Sequence, residues 1–202
     1  DGDTVYVADG TYNIDEVIVV DKPVNIIGVN GAKWCTIRRT SGNCGIASLI
    51  ATNAVLEGFT IREGYLTSYE HGGAGGVYLD NGAQIQNCIV TENTSTVSYC
   101  AGGITLRNGS AAINCAVLYN FGGPKVSNAG GVLLESGSRL VNCTVYGNYL
   151  LSISWVNPTE GCGGVWQSTT GSTVYVENSI VWGNSYARSP TWAAPSAPDL
   201  FS

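Results

Sequence analysis

Two glutamates carry the first chemical signal in this 202-residue chain. Glu63 and Glu92 fall at the same point of successive repeats, where a repeat of strands would set them about 5 Å apart. Two carboxylates at that separation suit a retaining glycosidase, one as nucleophile and the other as proton donor. Crowding of like charges raises one pKa, as a general acid needs. Arg62 adjoins Glu63 in sequence, and Arg107 is a second basic residue that such a site could use. Two carboxylates are too few ligands to claim a calcium ion, and no cofactor is expected. The paired-aspartate and GHG patterns of polygalacturonase-like enzymes are absent, and the repeats show no convergent Lys/Arg group of the kind a polysaccharide lyase needs.

Composition excludes several other classes. A formal net charge of −6 disfavours a protein that tracks phosphates along nucleic acid. One histidine and no CxxC pair exclude an ordinary zinc site. No apolar run is long enough to cross a membrane. Of the seven cysteines, Cys35 and Cys44 flank a turn-like TSGN and are a candidate disulfide, whereas Cys88, Cys115 and Cys143 read as small buried apolar residues. With 27 glycines the chain is a poor candidate for helices, while 44% hydrophobic content argues for a packed core.

The elements that must position these residues come from an internal repeat. AGGVYLDNGAQIQNCIVTEN, AGGITLRNGSAAINCAVLYN and AGGVLLESGSRLVNCTVYGN follow one another, with a longer variant beginning CGGVW. The second glycine of each pair falls at 76, 103, 131 and 164. Alternation is strand-like: Val77 and Leu79 share one face, as do Ile104 and Leu106, and Val132 and Leu134. A second strand carries Cys88/Val90, Cys115/Val117 and Cys143/Val145 inward. Short strands stacked at this period predict a single-stranded parallel β-helix with loops of changing length along one edge. Stacking lines up equivalent residues. Asn87, Asn114, Asn142 and Asn178 form one asparagine column, and Asn93, Asn120, Asn148 and Asn184 another, each able to donate to one neighbour and accept from the next. Residues 1–57 read as irregular first coils, 58–184 as the regular repeats and 185–202 as an irregular tail, all within one domain.

At GDTVYVADGTY, LEGFTI, the GGV...NC repeats and NSIVWGN, the chain resembles secreted right-handed parallel β-helix proteins of the pectate-lyase-like superfamily. Its phrasing is most similar to bacterial surface proteins of the choice-of-anchor type. The resemblance implies an extracellular or cell-surface location. It also implies a short capping helix before GDTVYVADGTY, so the chain is expected to be a trimmed form or a fragment. Activity is left open, because the superfamily includes lyases, hydrolases, tailspikes and adhesins.

Aromatic residues tell more on sequence grounds. Tyr78 and Trp166 fall in one outward column, and Tyr146 and Trp182 in another. Tyr119 and the loop residue Trp155 add to an edge rich in Asn, Ser and Thr. Flat apolar rings beside amides and hydroxyls are what a sugar groove uses. The expectation is a non-catalytic module that presents a glycan- or partner-binding aromatic face on a rigid stalk. The alternatives are a lyase or hydrolase using Glu63, Glu92, Arg62 and Arg107, and a filament that self-associates through its coil ends. The partner expected is a polysaccharide or cell-surface glycan.

Overall fold

The computed structural model describes residues 2–69, 73–124, 128–152, 161–168, 173–188 and 200–201. Its described residues form strands and turns, with every strand pairing parallel. Successive coils contribute strands to sheets we number I to IV in the order one full coil meets them. One coil runs through Val77–Leu79 (I), Gln84–Gln86 (II), Ile89–Thr91 (III) and Thr94–Ser95 (IV). Among the described residues sheets I, II and III have seven strands each and sheet IV has five. This is a right-handed parallel β-helix.

Register is in phase from coil to coil. Val77 pairs with Ile104, which pairs with Val132, and that with Val165. The inward columns fill the tube: Leu49, Leu79, Leu106 and Leu134 from sheet I, Leu56, Ile85, Ala112 and Leu140 from sheet II, and Ile61, Val90, Val117 and Val145 from sheet III. Sheet II is invisible to simple alternation, because Ile85 is a single inward residue between two glutamines. The first coils share these sheets: Thr4–Val7 pairs with Asn25–Gly28, and Gly10–Ile14 with Cys35–Arg39. Ser185–Arg188 pairs with Tyr149–Ser152 in sheet IV. A recess of about 620 Å³ opens at the first coil, lined mainly by apolar residues such as Val7, Ile18, Ile26 and Phe59, and it offers no reactive group.

Turns explain the repeated polar residues. Asn87, Asn114, Asn142 and Asn178 hold φ between 49 and 54° between sheets II and III, a conformation asparagine tolerates better than most residues. The second asparagine column is buried between sheets III and IV. Asn93 Nδ2 donates to Asn120 Oδ1 at 3.0 Å, Asn120 Nδ2 to Asn148 Oδ1 at 2.9 Å, and Asn148 Nδ2 to Asn184 Oδ1 at 2.8 Å. The same amides donate back to Ile61, Val90 and Val117 carbonyls of the preceding coil.

All seven cysteines are buried thiols, which corrects the expected Cys35–Cys44 disulfide. Cys35 Sγ turns toward the Ala8 carbonyl at 3.4 Å, while Cys44 Sγ turns toward that of Asp15 at 3.5 Å. The separate partners hold the two thiols at different places in the first coils.

Candidate functional site

The residues able to do chemistry gather where sheet III turns into sheet IV. The corner position is left-handed in five successive coils: Glu63 (φ 64), Glu92 (φ 56), Tyr119 (φ 53), Gly147 (φ 66) and Gly183 (φ 67). The buried asparagine that follows three of the first four anchors the corner. At Glu63 the following residue is Gly64, whose N–H donates to Asn93 Oδ1 at 2.9 Å. A left-handed backbone turns each corner side chain outward beside the last outward residue of sheet III. Those residues are Arg38 and Arg62, paired in register, and then Thr91, Leu118, Tyr146 and Trp182, paired in theirs.

Glu63 and Glu92 do share a corner, and Arg62 lies between them. Its Nη2 donates to Glu92 Oε2 at 2.5 Å, and its Nε lies 2.9 Å from Glu63 Oε1 but off the hydrogen-bonding direction. Arg38 Nη1 reaches Glu63 Oε2 at 4.0 Å while its Nε donates to Asn13 at 2.8 Å. Arg39 joins them: its Nε donates to the Glu63 carbonyl at 2.9 Å, and its guanidinium lies over the Tyr65 ring at 5.5 Å. The guanidinium groups of Arg38 and Arg62 therefore meet the two carboxylates, and that of Arg39 holds the Glu63 backbone beside them, in a chain of net charge −6. Sequence reasoning missed Arg38 and Arg39 because they precede the legible repeats. The signal available was the Arg-Arg pair at the end of an alternating CTIRR strand.

Arg107 is not part of this corner, which corrects its grouping with Glu63 and Glu92. It lies on the sheet I side, with Nε 2.7 Å from Glu135 Oε2 and its guanidinium 5.7 Å from the Tyr78 ring. Ser168 Oγ donates to the other oxygen of Glu135. Asp80 in the same column accepts from Tyr78 Oη at 3.0 Å and from Asn108 Nδ2 at 2.7 Å.

The aromatic columns divide. Tyr78 and Trp166 point away from the tube but are only 8% and 7% exposed, because the segments returning from sheet IV lie over them. Leu133 between them packs with Ala101, Ala129, Cys162 and Trp166 as a second small core. Burial, then the Asp80 charge, pushes the Tyr78 hydroxyl up to about 12. Tyr119 and Trp182 are 57% and 65% exposed on the corner itself. Trp155 lies outside the described residues. Neither sheet supplies a metal site: among the described residues no three His, Cys, Asp or Glu side chains converge.

No family model and no curated protein matches this chain. Solved structures do. A pectin methylesterase in complex with a hexasaccharide is 12% identical, with a TM-score of 0.43, over 89% of this chain and 70% of its own. The pectin methylesterase of Aspergillus niger, in deglycosylated form, is 12% identical, with a TM-score of 0.41, over 96% of this chain and 83% of its own. Likeness at this level concerns the fold, the right-handed parallel β-helix, and gives no support to the choice-of-anchor comparison. The expected non-catalytic module is corrected at its binding face: two of the rings meant to form it, Tyr78 and Trp166, are buried.

Proposed function

We propose that this chain is the β-helix of a polysaccharide-active enzyme, with its reactive groups at the corner of sheets III and IV. The observation that carries this reading is one edge holding Arg38, Arg39, Arg62, Glu63 and Glu92, continued along the axis by Tyr119, Tyr146 and Trp182. The arrangement favours elimination over hydrolysis. A retaining hydrolase needs two carboxyl groups facing each other across the scissile bond, and here Arg62 occupies that space. A surplus of guanidinium charge suits an anionic sugar instead. A guanidinium paired with a uronate carboxylate stabilises negative charge at the adjacent carbon as its C–H bond is broken. Glu92 is the more open of the two carboxylates, with 52% of its side chain exposed, and takes that proton. The electron pair forms a carbon–carbon double bond, the bond to the glycosidic oxygen breaks, and the departing oxygen picks up a proton from solvent. Such substrates place the protein outside the cell. The domain limits 1–57, 58–184 and 185–202 are part of the same proposal, with the corner spanning the first two and the last segment opening on the sheet IV strand Ser185–Arg188.

The test is incubation with polygalacturonate, alginate, xylan and cellulose, following the ultraviolet absorbance of new double bonds and the mass of the products. Unsaturated ends from an acidic polymer, lost in Glu92→Gln and in Arg62→Leu, are expected. Reducing ends without unsaturation would replace elimination with hydrolysis. Binding with no change in any chain would overturn the enzymatic reading.

A further inference from the structure

The corner aromatic residues are not equivalent. Tyr146 and Trp182 stack nearly parallel, with centroids 5.4 Å apart and planes 18° apart. Tyr119 meets Tyr146 edge to face, at 5.7 Å and 82°. Tyr146 therefore has Trp182 on its stacking side and Tyr119 beside it, and it is only partly exposed. Tyr119 and Trp182, both well exposed, each keep open surface. The corner glycines make this possible. A Cβ at Gly147 would lie 2.7 Å from the Tyr119 ring, and one at Gly183 would lie 2.6 Å from the Tyr146 ring. Each tyrosine ring thus rests on the bare corner of the next coil, which is why the corner column changes from Glu, Glu and Tyr to Gly and Gly.

Resting on the enzymatic reading, we propose that the polysaccharide runs along the helix axis and is gripped by two ring platforms, Tyr119 and Trp182. Tyr146 is a positioning residue that props both and touches no sugar. The platforms sit two coils apart, ~10 Å, with Glu92 one coil before Tyr119. A substrate must reach from Glu92 past Tyr119 to gain the second platform, so the site measures chain length. Gly147 and Gly183 set the platforms without contacting substrate.

The experiment measures kcat and KM for galacturonate oligomers from dimer to hexamer, together with binding of the same oligomers by calorimetry. Trp182→Ala should lower kcat/KM for the hexamer about tenfold, the loss usual for truncating an aromatic anchor, and the loss should shrink as the oligomer shortens. Tyr119→Ala should cost the trimer as much as the hexamer. Gly147→Ala, which displaces the Tyr119 ring, should raise KM as Tyr119→Ala does while kcat holds. Tyr119→Leu gives the same readout should Gly147→Ala fold poorly. A Trp182→Ala loss equal at every length overturns the two-platform arrangement while leaving the enzyme standing. Length-graded binding without turnover overturns the enzyme and leaves the platforms.

Discussion

A single asparagine in this protein can be structural or nearly dispensable, and its column decides which. Asn120 donates to the Val90 carbonyl and to Asn148 Oδ1, and its Oδ1 accepts from the Asn93 N–H and from Asn93 Nδ2. Asn120→Ala strands several of these groups in a dry interior and should cost about 3 kcal/mol. Asn142 faces solvent at φ 54°, where its use is conformational. Asn142→Gly keeps that conformation available and should change stability by less than ~1 kcal/mol. Urea unfolding of the two variants checks the contrast, and equal losses would mean that the buried ladder contributes nothing special. Both columns were legible in sequence, because stacking forces equivalent residues into register. Which column is buried was not legible, since an asparagine just after a short strand suits an exposed turn and a buried ladder alike.

At the scale of the element, the repeated Gly-Gly pair is a packing requirement. A Cβ at Gly103 would lie 2.5 Å from the Gly131 carbonyl oxygen and 2.8 Å from Val117 Cγ1. Gly76 and Gly131 meet the same obstacles one coil away. Here the chain enters sheet I against the next coil's backbone, and backbone cannot move aside as a side chain can. Gly103→Ala should therefore destabilise by at least ~2 kcal/mol. Gly82→Ala has open space but a φ of +78°, so its cost is the smaller one of conformation alone. Thermal melts of the pair separate crowding from backbone strain. Glycine spacing revealed the repeat, but only the coil-to-coil contact shows why the second glycine of each pair admits no side chain.

Across the whole molecule, protons report how tightly the tube is closed. Burial pushes Tyr78, Cys88 and Cys100 up to about 12, from ordinary values of 10 for tyrosine and 9 for cysteine. A group whose pKa is raised by folding binds its proton more tightly in the native state. Its stabilising contribution is complete below the unfolded pKa and is lost as pH rises through the folded one. The melting temperature should thus fall between pH 9 and pH 12, and the slope should be shallower in Tyr78→Phe and in Cys88→Ala. An unchanged slope in both variants would show that these groups are not shielded from solvent. The same burial keeps these thiols protonated at neutral pH, so they are not nucleophiles.

Local pattern by itself determined the parallel coils, the direction of the inward columns and the lining-up of Glu63 with Glu92. Constant spacing between the two asparagine columns carries register from one coil to the next while the loops change length, and alternation in three-residue strands sorts inward from outward. Only the tertiary structure decided the site. Arg38 and Arg39 reach Glu63 because the first coils join the same sheet, although their sequence does not repeat. Arg107 leaves the site because outward residues of sheets I and III face different sides of the tube. Tyr78 and Trp166 are outward by alternation yet buried, because segments returning from sheet IV fold over sheet I. Alternation tells which side of a strand a residue occupies, but whether that side meets solvent depends on chain from elsewhere in the molecule.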